Sequence, residues 1–156
     1  MRIVTKAVVP ACIALLLVWA SPLNAKVIAL SGTWKFNAEK SDGDGLPIAK
    51  AVMVKAVHKE PALKYSVTGT DAEGKPFNNE FDGAIDGKPY KETDGETTTL
   101  KRINDSTLEG TTTSADGKST ETFTTTVSKD GKVLTRKVTV KLPAREHKVL
   151  ELYEKQ

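Results

Sequence analysis

Cysteine is nearly absent from this sequence, and its scarcity excludes several kinds of site. The single cysteine, Cys12, lies inside an apolar N-terminal segment that we expect to be removed on export. The remaining chain would then hold no thiol for a disulfide, a zinc site or a nucleophile. Its stability must come from an ordinary packed core.

Histidine, aromatic residues and blocks of like charge are also scarce. Aromatic residues make up 6% of the chain, and the two histidines, His58 and His147, lie far apart in sequence. No serine or threonine sits in a nucleophile-elbow motif, so we predict no enzyme, no catalytic residues and no cofactor. The 23 basic and 20 acidic residues are interspersed. Without a basic stripe and stacking aromatics, we expect no nucleic-acid partner.

The first 25 residues have the three parts of a secretory signal peptide. Arg2 and Lys6 precede an apolar stretch at residues 7–20, and a polar segment follows it and ends at Ala25. The apolar stretch is shorter than the roughly 20 residues that span a bilayer. We therefore predict cleavage after Ala25 rather than a retained anchor. Residues 26–156 would form one periplasmic or extracellular domain with no membrane span.

Asp-Gly pairs punctuate the second half of the chain, at residues 86–87, 94–95, 116–117 and 130–131. Asp-Gly is a strong hairpin signal because both residues tolerate the positive φ of a tight turn. The segments between the pairs are rich in Thr, Val and aromatic residues. Short strands separated by such turns predict an all-β antiparallel chain, as in a barrel or a sandwich.

The turns also predict the register of three strands. The last Asp-Gly turn pairs Val127 with Leu134 and Phe123 with Val138, so that apolar side chains share one face. The preceding turn places Gly110 opposite Phe123, whose ring can cover a glycine. A slip of one residue would put threonine and lysine on that face instead.

The first strand carries a recognisable motif, Gly32-Thr33-Trp34. Gly-x-Trp at this place resembles the opening motif of lipocalins and fatty-acid-binding proteins, the calycin barrels. Residues 26–156 as a whole resemble a family of small secreted bacterial lipocalin-like proteins of undefined function. The matching stretches are Leu-Ser-Gly-Thr-Trp-Lys-Phe-Asn at 30–37, Lys-Ser at 40–41, Asp-Gly-Lys-Pro-Tyr at 86–90, Leu-Lys-Arg-Ile at 100–103, Val-Ser-Lys-Asp-Gly-Lys at 127–132 and Leu-Tyr-Glu-Lys-Gln at 152–156.

This resemblance implies a single lipocalin-like, antiparallel up-and-down barrel of eight to ten strands. The first strand would lie beside the last, and Trp34 would plug one end. The barrel would enclose a cavity for a small, mostly apolar molecule. The ligand-binding residues that we expect are Tyr65, Phe77, Phe81, Phe123, Arg136, Val138 and Tyr153.

Arg136 is the one charged residue among these candidates, and it leaves three roles open. The predicted register places it on the apolar face, where a buried arginine needs a partner. It could pair with Glu121 or Glu151, cover the ring of Trp34 by a cation–π contact, or hold an anionic ligand.

The C-terminal strand departs from the pattern of fatty-acid-binding proteins. Those proteins end in an Arg-x-Tyr pair that holds the ligand carboxylate, whereas this chain has Glu151-Leu152-Tyr153. Tyr153 matches, but Glu151 would repel a carboxylate. The segment at residues 37–47 is also too short for the two-helix lid of those proteins.

Two other features suggest alternative functions. The apolar residues 26–30 could form an exposed arm of a protein-interaction module, such as an inhibitor of a secreted enzyme, or a strand extension that completes the barrel. Asp42-Gly43-Asp44-Gly45 has alternating carboxylates but lacks the later ligands of an EF-hand. We therefore expect a turn-rich loop there and no metal site.

Overall fold

The computed structural model describes residues 28–156, so the predicted signal peptide lies outside the described part of the chain. These residues form ten strands and one short 3₁₀ turn, Ala38–Lys40. Within residues 28–156, no helix has the length and apolar character to cross a membrane. The strands are β1 (Gly32–Phe36), β2 (Ala51–Lys59), β3 (Ala62–Thr70), β4 (Pro76–Ala84), β5 (Pro89–Lys91), β6 (Thr97–Asn104), β7 (Thr107–Thr113), β8 (Thr120–Val127), β9 (Val133–Lys141) and β10 (Glu146–Lys155).

The strands form one antiparallel sheet that curls into a nearly closed barrel. Their order is β4-β3-β2-β1-β10-β9-β8-β7-β6-β5, so the first strand pairs with the last, as predicted. The two free edges belong to β4 and β5. Strand β5 has only three residues and begins at Pro89, which has no N–H to donate to a ladder. The prediction of a single up-and-down barrel is confirmed.

The predicted register of the C-terminal half is confirmed. Val127 pairs with Leu134, Phe123 with Val138, and Gly110 with Phe123. Inward residues are thus apolar on several neighbouring strands, and the opposite face carries threonine and lysine. Alternation of this kind is what holds a half-buried strand in one register.

The Asp-Gly turns form in a way that differs from the prediction, because only the glycine adopts a positive φ. Gly131 has a φ of +72°, whereas Asp44 is the one non-glycine residue with a positive φ in the described part of the chain. The aspartate instead caps its own turn. Asp130 Oδ1 accepts a hydrogen bond from the Lys132 N–H at 3.1 Å. Asp side chains commonly stabilise turns in this way.

The described N-terminal residues fold under one end of the barrel. Trp34 is 1% exposed, and its Nε1 donates to the Leu30 carbonyl at 2.8 Å. Ile28 and Leu30 are buried beside it, and the His58 ring lies 3.1 Å from the Ile28 carbonyl. For residues 28–30, both the exposed arm and the strand extension are therefore wrong. Ile28 and Leu30 form a buried cap, and residues 28–30 pair with no strand.

The aspartate-rich loop between β1 and β2 is held against the start of β10. Asp42 and Leu150 exchange two backbone hydrogen bonds, each 2.8 Å long. The Asp44 carboxylate accepts from the Lys148 N–H at 2.8 Å. These two aspartates therefore serve the loop itself. Within residues 28–156, no group of three His, Cys, Asp or Glu side chains is arranged to hold a metal ion.

Replacing Gly110 by alanine should destabilise the barrel. An added Cβ would overlap the Phe123 ring and approach the Leu100 side chain. Overpacking of this kind costs about 1–3 kcal/mol. We expect that loss in urea unfolding of Gly110→Ala, and a smaller loss when Phe123→Leu is added. If Gly110→Ala lowers the free energy of unfolding equally with Phe123 and with Leu at position 123, the added Cβ does not clash with the Phe123 ring.

Candidate functional site

The interior of the barrel contains a cavity of about 230 Å³ that is partly open to the outside. Its walls are largely apolar, and a smaller number of polar side chains reach it from several strands. The apolar walls include Val54, Leu63, Val67, Leu100, Leu108 and Leu134.

A larger depression of about 840 Å³ lies on the outer face of β6 to β10. Its side chains include Thr99, Thr111 and Thr122, which alternate with the buried Leu100 and Phe123 and therefore point away from the core. It has no enclosed apolar wall. The interior cavity is the better candidate, because small-molecule sites are concave, mostly apolar and marked by a few converging polar groups.

The predicted ligand-binding residues divide into two groups. Tyr65, Phe123, Arg136 and Tyr153 line the cavity. The other three do not line it. Phe81 lies behind Tyr65, with stacked rings 4.8 Å apart, Val138 is buried in the wall, and Phe77 sits 37% exposed near the edge of the sheet.

Arg136 is held by two carboxylates and an aromatic ring. Its Nη1 donates to Glu151 at 2.8 Å, its Nη2 lies 3.7 Å from Glu121, and its guanidinium carbon is 4.3 Å from the centre of the Phe123 ring. Burial alone would lower the pKa of Arg136, but the negative charge of Glu151, with a smaller contribution from Glu121, raises it overall. The guanidinium is therefore charged and already compensated.

This arrangement shows one of the roles left open for Arg136 and excludes another. Both predicted carboxylate partners bind it, whereas the ring of Trp34 is covered by Lys155, whose Nζ lies 5.2 Å from the ring centre. A contact between Arg136 and Trp34 is therefore wrong. The charge of Glu151 is also not free to repel a ligand, because Arg136 neutralises it and the Tyr153 hydroxyl donates to it at 3.3 Å.

Glu92 is a site residue that the sequence analysis missed. It follows β5 directly, is buried, and accepts hydrogen bonds from the Tyr65 hydroxyl and the Asn79 amide. Burial, and then the charge of Glu92, raise the pKa of Tyr65. Because Asn79 lies on β4, these bonds join the two edges that the backbone leaves unpaired. No sequence motif distinguishes Glu92 from other turn residues.

Glu96 and Glu121 are the two cavity carboxylates that accept no side-chain hydrogen bond within residues 28–156. Burial, followed by repulsion from Asp94 and Glu121, raises the pKa of Glu96 to about 7. Burial also raises the pKa of Glu121, although Arg136 opposes the shift. Both groups are more readily protonated than an ordinary glutamate, because each faces other carboxylates in a partly dry cavity.

Thr125 supplies a further polar group to the cavity. It is 7% exposed and lies between Leu108 and Arg136 in the register of the sheet. Its hydroxyl makes no hydrogen bond within the described residues. Since no fully enclosed polar side-chain atom there lacks a partner, this hydroxyl must reach the cavity.

Comparison with known proteins supports the fold and goes no further. No family model and no curated protein matches the sequence. The solved structure of zebrafish ileal bile acid-binding protein complexed with cholic acid is 14% identical, with a TM-score of 0.52, and the match covers 82% of this chain and 99% of that one. The siderocalin Ex-FABP is 13% identical, with a TM-score of 0.34 and 82% and 71% coverage, which is too low to argue from. The likeness to the bile acid-binding protein shows that this chain has the same antiparallel barrel fold.

Replacing Glu96 by glutamine should change how stability depends on pH. The pKa of Glu96 is about 7 in the folded chain, against an ordinary value of 4.5. Protonation of Glu96 therefore stabilises the folded state fully below pH 4.5, and this contribution is lost as pH rises through about 7. At about pH 8, Glu96→Gln should be more stable than the parent by about 1–2 kcal/mol, a figure reduced for partial exposure. Near the lower pKa the two should unfold alike in urea. A constant difference across the range would contradict this account.

Proposed function

We propose that this chain is exported and binds a small, mostly apolar molecule inside its barrel without transforming it. The observation that carries the proposal is the partly enclosed cavity, with apolar walls and a few converging polar side chains. Its fold is shared with a protein whose solved structure holds cholic acid, which makes the interior the natural place for a ligand. The fold alone does not establish the ligand.

The volume of the cavity limits the size of that ligand. Pockets for drug-sized molecules enclose about 300–1,000 Å³, whereas this cavity measures about 230 Å³. The preferred molecule is therefore smaller than a sterol, with one ring or a short chain. The cap formed by Ile28, Leu30 and Trp34 closes one end, so the ligand would enter from the other end or beside β5.

Export rests on the N-terminal segment, whose basic start, apolar middle and small final residue are those of a signal peptide. Together with the Gly-x-Trp motif, it supports membership of the small secreted bacterial lipocalin-like proteins. Expression in a bacterium with a cell envelope tests this directly. We expect a product that begins at Lys26 in the periplasm or medium. A cytoplasmic product with residues 1–25 intact would contradict export.

Filling the cavity should abolish binding while an outward change on the same strand should not. Ala56 lines the cavity, and its neighbour Val57 points outward and is 69% exposed. We expect Ala56→Phe to occupy the space and remove the uptake of a small naphthalene dye, measured by fluorescence, whereas Val57→Phe keeps it. Circular dichroism would verify that both variants are folded. Uptake that is unchanged in Ala56→Phe would place the dye elsewhere and reject the interior as the site.

A further inference from the structure

The charges that face the cavity do not balance. Glu92, Glu96 and Glu121 line it, and Arg136 is the one cationic side chain among the described lining residues. That guanidinium is shared between Glu121 and Glu151, at 3.7 and 2.8 Å. Neutral donors, the Tyr65 hydroxyl and the Asn79 amide, satisfy Glu92. With all four carboxylates ionised, negative charge exceeds positive charge in and beside the cavity.

Two carboxylates remain available to something that is not part of the chain. Glu96 has no ion-pair partner within residues 28–156, and Glu121 reaches Arg136 only at 3.7 Å while its side chain stays 40% exposed. Asp94 on the same turn, Glu92 after β5, Glu121 on β8 and Arg136 on β9 are the charges that act on Glu96. Three of these four are negative, so the position would favour an added cation.

The hydroxyl of Thr125 is a second, independent sign of a missing partner. The residue is buried to more than nine-tenths, yet its hydroxyl makes no hydrogen bond within the described chain and faces the cavity. The hydroxyl is not enclosed, because it faces the cavity, and inside mostly apolar walls a hydrogen bond from the occupant of the cavity would stabilise it. A ligand that carries N–H groups would supply the partner, because a hydroxyl oxygen can accept.

We propose that the preferred ligand is a small apolar molecule that carries a protonated amine, with the amine held by Glu96 and Glu121 and the apolar body against Leu63 and Leu108. The proposal rests on the proposed function, because it names the class of molecule that the same cavity takes. A carboxylate ligand would instead add charge of the sign already in excess. A neutral ligand would leave Glu96 without a cationic partner.

The titration of Glu96 supports this choice. Its pKa of about 7 means that the empty protein keeps a proton where an ammonium group would otherwise sit. A primary amine with the pKa of a lysine side chain, about 10.4, remains charged well above that value. Binding of the amine should therefore strengthen as pH rises through about 7 and should release a proton. A neutral ligand of the same shape should show no such dependence.

Three probes with one carbon skeleton separate charge from shape: 3-phenylpropylamine, 3-phenylpropanol and 3-phenylpropanoate. Calorimetric titration at about pH 8 and low salt should show the amine binding about tenfold tighter than the alcohol, and the carboxylate binding weakest. The amine should lose most of this advantage as pH falls below the pKa of Glu96. The alcohol should bind alike throughout.

Variants that remove one carboxylate charge test which residues give the amine its higher affinity. Glu96→Gln and Glu121→Gln should each weaken the amine several-fold and leave the alcohol unchanged. Glu109→Gln is the matched control, because Glu109 lies on the outer face opposite Lys101 and its loss changes net charge equally. The control should bind all three probes as the parent does.

The outcomes separate this proposal from the one on which it rests. If the alcohol or the carboxylate binds as tightly as the amine, the cavity is a ligand site but the charge preference is overturned. If Glu109→Gln weakens amine binding as much as Glu96→Gln does, the preference for the amine comes from net charge. The assignment of the amine to Glu96 and Glu121 is then wrong. If none of the three probes binds and the naphthalene dye also fails to enter, both proposals fall.

Discussion

The guanidinium of Arg136 is the contact around which the interior is organised. It joins Glu151 on β10 to Glu121 on β8 and lies over the ring of Phe123 between them. Paired charges in a partly dry space need one another, because removing either partner leaves an uncompensated charge. The same pairing compensates the charge of Arg136 and so weakens its attraction for an external anion. Within residues 28–156, the interior contains one arginine, yet its surplus charge is negative.

The barrel closes at one place without a backbone ladder. Nine of the strand interfaces are antiparallel backbone ladders, whereas the edges of β4 and β5 are not paired along their length. Glu92 with Asn79, and Thr93 with Glu80, connect the two edges across the gap. Glu92, which connects the two edges, therefore also lines the cavity. The Tyr65 hydroxyl, which also lines the cavity, donates to the same carboxylate.

Local sequence signals were sufficient for the architecture. The Asp-Gly pairs and the alternation of residues such as Phe123 and Val138 predicted the order and register of the last strands, because turn chemistry and a period of two are local properties. The resemblance of Gly32-Thr33-Trp34 to the Gly-x-Trp motif predicted that the sheet closes into a barrel. The φ values of the turns were predicted wrongly, since hydrogen bonds from the following backbone N–H groups let the aspartate stay at negative φ.

The site was predicted only in part, for a physical reason. Arg136 drew notice because a charge on an apolar face is unusual, and the register was enough to suggest its partners. Glu92, Glu96 and Thr125 gave no such signal, because each lies among polar residues in a turn or a threonine-rich strand. Their importance arises from long-range placement, when the curl of the sheet brings β5, β8 and β9 around one space.

The central claim is that the carboxylates inside the barrel outnumber the positive charge available to them. Carbon-13 NMR of the glutamate side chains, followed through a pH titration, measures this directly. The account predicts a resonance of Glu96 that titrates near pH 7, and a lower midpoint when 3-phenylpropylamine is present. A Glu96 that titrates near the ordinary glutamate value of 4.5, with or without the amine, would contradict it.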